Sequence, residues 1–125
     1  GGNLSLLVTL LGTPYEPDFD GAIVFMEDVS EPPYSVDRML THLWLTGHLE
    51  QTAGIVFGKF TDDDYDSNTL SMEQVLRERC EPLGIPTLRG AMIGHVEDQT
   101  VVPIGVNARL DVDEGTLKLL EPAVR

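Results

Sequence analysis

Glu27 and His95 are the residues of this chain whose types and settings suit acid–base chemistry. Glu27 closes the apolar run Ala22-Ile23-Val24-Phe25-Met26, and His95 follows Gly94 in Ile93-Gly94-His95-Val96-Glu97-Asp98-Gln99. A carboxylate that orients an imidazole, and an imidazole that takes a proton from a nucleophile, are two of the three members of a serine-hydrolase triad. The third is missing. The serines are Ser5, Ser30, Ser35, Ser67 and Ser71, and none stands in a Gly-x-Ser-x-Gly elbow, the strained strand-to-helix turn that exposes a nucleophilic hydroxyl. Either the pair is coincidence, or the chain is one domain of a larger enzyme.

Read alone, each residue also has an ordinary explanation. Glu27 falls at the carboxyl end of a predicted central strand, where open α/β sheets place ligand-binding groups but where acids also occur without function. His95 falls in a loop between strand-like segments, a common place for catalytic groups and equally for solvated histidines. Asp28 points to the opposite face of an extended strand and is not expected to replace Glu27. Asp98 and Gln99 are expected to hold the loop through side-chain to backbone hydrogen bonds. His42 and His48, six residues apart in or after one helix, lie on different faces and support no shared metal.

A rival chemistry lies in Asp62-Asp63-Asp64-Tyr65-Asp66-Ser67-Asn68-Thr69-Leu70-Ser71-Met72-Glu73. Its carboxylates have the ligand spacing of a calcium-binding EF-hand loop. Ser67 stands where that loop needs its turn glycine, and a buried strand, not a helix, precedes it. An acidic loop ahead of a helix N-terminus is also favourable on electrostatic grounds alone.

The elements that must position these groups alternate. Leu4 to Leu11 is apolar on nearly every face, with Asn3 as N-cap and Gly12 as terminator, and reads as a helix buried all round. Ala22–Met26 reads as a strand buried on both faces. Ser35 is the expected cap of a helix carrying Val36, Met39, Leu40, Leu43 and Trp44, ending near Gly47. Residues 53–58 read as a second buried strand, and Ser71-Met72-Glu73-Gln74 as a capping box opening a helix with Met72, Val75, Leu76, Cys80 and Leu83 on one face. Short strands follow at 87–89, 100–102, 107–111 and 116–120, the last two joined by an Asp113-Glu114-Gly115 turn. The fold class is α/β, a parallel core sheet with helices and a smaller antiparallel segment, in a single domain over residues 1–125.

Composition narrows the partners. The net charge of −13, from 21 acidic and 8 basic residues, repels phosphate backbones and anionic lipid, so neither nucleic acid nor membrane is an expected partner. The single Cys80 cannot form an internal disulfide and fits a reducing compartment. No cofactor and no metal ligand set is expected.

Several motifs in a fixed order resemble one family. They are Gly1-Gly2-Asn3-Leu4-Ser5-Leu6-Leu7, Gly21-Ala22-Ile23-Val24-Phe25-Met26-Glu27-Asp28-Val29, Pro33-Tyr34-Ser35-Val36-Asp37-Arg38-Met39-Leu40, Gly58-Lys59-Phe60-Thr61-Asp62 and Gly94-His95 through Gln99. Together they resemble the C-terminal domain of the LD-carboxypeptidases, cytoplasmic serine peptidases that include muramoyltetrapeptide carboxypeptidase and the microcin C self-immunity proteins. The resemblance implies a swivelling β/β/α fold, Glu27 and His95 as the catalytic glutamate and histidine, and a serine in an N-terminal domain absent from this chain. It further implies a muropeptide substrate cleaved between an L-diamino acid and D-alanine, a cytoplasmic setting and a homodimer. Gly1-Gly2 would then be the remnant of the interdomain connection. Two alternatives stay open, a microcin-type self-immunity peptidase and, from another class, a non-catalytic acidic module with a candidate calcium-binding loop.

Overall fold

A computed structural model describes residues 1–63 and 69–124. Four parallel strands form one sheet, β1 (Gly2–Asn3), β2 (Ile23–Val29), β3 (Gly54–Thr61) and β4 (Thr87–Arg89), in the spatial order β1-β2-β3-β4. Between them run α1 (Leu4–Thr9), α2 (Pro33–Leu45) and α3 (Met72–Cys80). A separate hairpin, β5 (Ala108–Asp111) with β6 (Thr116–Leu119), is antiparallel.

Sequential order decides the layering. Parallel strands that add always on the same side, through crossovers of one handedness, place every connecting helix on one face of the sheet. Leu4 and Leu7 of α1, Val36, Met39, Leu40 and Leu43 of α2, and Val75 and Leu76 of α3 accordingly pack in one core with Val24, Met26, Ile55 and Phe57 from the sheet. The other face, which carries Phe25, Glu27, Val56 and Gly58, is free of helices among the described residues. The hairpin reaches part of it, since a Cβ at Gly54 would lie 2.7 Å from Leu110 Cδ2. Antiparallel strands, parallel sheet and helices thus make the three layers of the β/β/α arrangement.

Several element boundaries differ from the sequence reading. Helix α1 is not buried all round: Leu4 and Leu7 are buried, whereas Leu6 is 67% exposed. A six-residue helix lying across one face of a sheet can bury only its inward stripe. Asn3 does cap it, its side chain accepting from Leu6 N. Helix α2 starts at Pro33, two residues before Ser35, because a proline with its fixed φ suits the first helical position. The Ser35 hydroxyl donates to Glu31 instead of capping. Trp44 lies off the buried stripe and is 44% exposed. Helix α3 has the predicted capping box, Ser71 with Gln74. Residues 100–102 form no strand.

Candidate active site

Glu27 is the fifth residue of β2, two residues inside its end, because Asp28 and Val29 continue the pairing with Phe60 and Thr61 of β3. Both acids of the pair Glu27-Asp28 are buried, at 6% and 3% exposure, and they face opposite sides of the sheet as strand alternation predicts. Asp28 turns toward the helices. It accepts hydrogen bonds from Asn3 Nδ2 at 2.8 Å, Ser5 N at 2.9 Å and Ser5 Oγ at 2.8 Å, and so fastens the N-terminus of α1 to the sheet. A carboxylate at that helix end is also favoured by the unpaired N–H groups there.

Glu27 turns toward the helix-free face, where the loop after β4 crosses it. Glu27 Oε2 lies 2.9 Å from His95 Nδ1. The glutamate side chain is 8% exposed and the imidazole 54% exposed, so a sheltered acid holds a ring whose far edge is open to solvent. Among the described residues, His95 Nε2 has no hydrogen-bond partner. A neutral histidine can donate to a carboxylate through Nδ1 only in the tautomer whose Nε2 carries a lone pair, and that lone pair is what a general base needs. Around the pair is a shallow depression lined by Gly2, Phe25, Gly94 and Val96.

Backbone contacts seat the loop. Lys59 N–H donates to the Ile93 carbonyl at 2.8 Å, Val96 N–H to Gly94 O at 2.9 Å and Thr100 N–H to Met92 O at 2.6 Å. Ile93, 8% exposed, is the loop's apolar anchor. Gly94 passes directly over the acid with φ +119°, and a Cβ there would lie 2.8 Å from Glu27 Oε2. Sequence reasoning singled out neither Ile93 nor Gly94 as positioning groups; the glycine immediately before the histidine was the available signal. Asp98 and Gln99 are exposed and make no hydrogen bond among the described residues, so backbone groups, not these side chains, hold the loop.

The remaining candidates lie elsewhere. His48 Nε2 meets Glu16 Oε1 at 2.9 Å and its ring stacks edge-on with Phe19, while His42 is solvent-exposed on α2. The Glu16 carboxyl is held below its ordinary range, first by the Gly12 N–H and then by His48. Of the acidic loop, residues 64–68 and with them the central calcium ligand positions lie outside the described residues. Glu73, at its end, is paired with Arg89 at 2.9 Å and with Arg77 at 3.6 Å. Among the described residues, no group of three or more His, Cys, Asp or Glu could hold a metal, and no helix is long and apolar enough to cross a membrane.

Fold and site together define a three-layer α/β domain that offers a sheltered carboxylate and an exposed imidazole from its helix-free face. The family model described as the LD-carboxypeptidase C-terminal domain matches residues 1–110, and the chain belongs to that family. It is 44% identical over 118 residues to a Bacillus subtilis protein named "Probable murein peptide carboxypeptidase", an alignment covering 93% of this chain and 37% of that protein. The crystal structure of muramoyltetrapeptide carboxypeptidase from Oxalobacter formigenes superposes with a TM-score of 0.86 at 36% identity, covering 95% of this chain and 42% of that one. The microcin C7 self-immunity protein MccF, in its wild-type apo state, superposes with a TM-score of 0.90 at 27% identity, covering 100% of this chain and 38% of that one. The chain therefore spans about two fifths of the length of these relatives.

Proposed function

We propose that this chain is the part of a serine-type LD-carboxypeptidase that supplies the glutamate and histidine of a Ser-Glu-His triad, and that an upstream domain supplies the serine and the oxyanion donors. The observation that carries this reading is the 2.9 Å contact between Glu27 Oε2 and His95 Nδ1, which leaves Nε2 unpartnered at the surface. In the whole enzyme Nε2 would remove the proton from the serine hydroxyl as its oxygen attacks the scissile carbonyl. The same proton would then pass to the departing D-alanine amine, leaving an acyl-enzyme. A water molecule, deprotonated by the same nitrogen, would attack that ester and restore the serine. Glu27 stays ionised throughout and stabilises the imidazolium formed in each half-reaction.

The substrate proposed is a cytoplasmic muropeptide cleaved between its L-diamino acid and terminal D-alanine. The muropeptide branch is preferred to the microcin-type branch because the relatives at 44% and 36% identity carry murein or muramoyl-peptide names, whereas MccF stands at 27%. The test is release of D-alanine from a muramoyl tetrapeptide. Full-length protein should turn the substrate over and the isolated 125 residues should not, because the covalent step needs the missing serine. Turnover by the isolated chain would overturn the assignment.

A further inference from the structure

The ladder between β2 and β3 is interrupted opposite Glu27. Met26 pairs with Phe57 and Asp28 with Phe60, so Gly58 and Lys59 together oppose the single residue Glu27. Such bulges are rare between parallel strands and commonly re-aim a side chain or end a pairing. Here the extra residue lets Phe57 and Phe60, three apart in sequence, both pack against the helix-side core. It also frees the Lys59 N–H from the ladder, and that N–H is the donor that holds Ile93. Gly58 meanwhile gives the loop room. A Cβ there would collide with the Ile93 carbonyl oxygen and lie 3.1 Å from Glu27 Cβ.

We propose that the Gly58-Lys59 bulge is the positioning device of the active site, with Gly58 as its determining residue: it docks Ile93 and thereby sets His95 against Glu27. This rests on the proposed reading of Glu27 and His95, which the experiment can fail separately. Gly58 touches no reacting atom. It acts through the loop, two residues upstream of the histidine, by permitting the close approach of one carbonyl. Glycine is needed at this point for these close approaches and not for its backbone freedom, since Gly58 does not have a positive φ.

The readout is the tautomer of His95, measured by two-dimensional imidazole 15N NMR on the 125-residue chain itself, together with kcat and KM of the full-length enzyme. Wild-type chain should show the Nδ1–H form. Gly58→Ala should lose that signature while the α2 and α3 amide resonances stay in place, and in full-length enzyme it should lower kcat at least about a hundredfold with KM within about twofold. Lys59→Pro, which removes the N–H bonded to Ile93 and also fixes φ there and restricts Gly58, should do the same. Gly54→Ala is the control. It lies on the same strand, where a Cβ crowds the flexible Leu110 side chain at 2.7 Å and otherwise makes ordinary contacts with Pro86 O at 3.4 Å and Ile23 at 3.7 Å, and it should keep both the tautomer and the turnover. The inference is overturned if Gly58→Ala keeps the Nδ1–H signature, or if Gly54→Ala loses it equally. It is also overturned if both bulge variants unfold while Gly54→Ala folds, because the bulge is then a folding element. An intact tautomer pattern in a full-length enzyme that releases no D-alanine would instead fail the proposed function and leave the positioning role standing.

Discussion

Gly94 passes so close over Glu27 that a Cβ there would lie only 2.8 Å from the same Oε2 that meets His95. At φ +119° an L-residue is also strained. Gly94→Ala should therefore push the imidazole off the carboxylate. The expected outcome is a loss of about a hundredfold or more in kcat of the full-length enzyme, since a displacement of about 1 Å at a catalytic group has effects of that size. Urea unfolding should show a cost of about 1–3 kcal/mol for the strain.

Two adjacent acids should separate cleanly into structure and chemistry. Asp28 accepts three hydrogen bonds from Asn3 and Ser5 in a buried setting, so Asp28→Ala leaves those donors unpaired and should cost about 3 kcal/mol in urea unfolding. Its effect on kcat, measured where the variant is folded, should stay within about threefold, because the reacting face is not touched. His95→Ala should show the opposite pattern. Its side chain is 54% exposed, so stability should change by less than about 0.5 kcal/mol while turnover disappears.

Alkaline pH should weaken the domain through Cys80. Burial pushes this thiol up from its ordinary 9.0 to about 11, because the thiolate is poorly solvated inside the α3 core. The unfolded chain gives up the proton first, so the stabilisation is complete below about pH 9 and is lost as pH rises toward about 11. The loss attributable to Cys80 over that window should be about 2–3 kcal/mol. Urea titrations of wild type and Cys80→Ala at several pH values check it. Wild-type stability minus that of Cys80→Ala should fall by that amount with rising pH, whatever constant offset the smaller side chain introduces.

The parts of the molecule legible from sequence are those set by local chemistry. The capping box at Ser71 and Gln74, the apolar run of β2, and the Asp113–Gly115 turn each announce themselves within a few residues. Most of what escaped depends on partners far away in the chain, the start of α2 being a local exception. The exposure of Leu6 follows from how a short α1 lies on the sheet, and the start of α2 was misplaced because Ser35, a good cap by type, binds Glu31 while Pro33 opens the helix. The dyad itself joins residues 68 apart, and no periodicity could have joined them. Only the order of motifs shared with a family pointed to it. The bulge at Gly58 and Lys59 was invisible for the same reason, since it exists only in the register between two strands.

The central claim is that Glu27 sets the histidine to act as a base, and the most direct measurement is D-alanine release by full-length Glu27→Gln. The amide keeps the shape of the site but can donate to Nδ1, which favours the tautomer whose Nε2 already holds a proton. The account predicts a fall in kcat of about ten-thousandfold, the size seen when a triad acid is replaced by its amide, with folding unchanged by circular dichroism and KM little affected. Release of D-alanine by Glu27→Gln at a rate near that of wild type would contradict it.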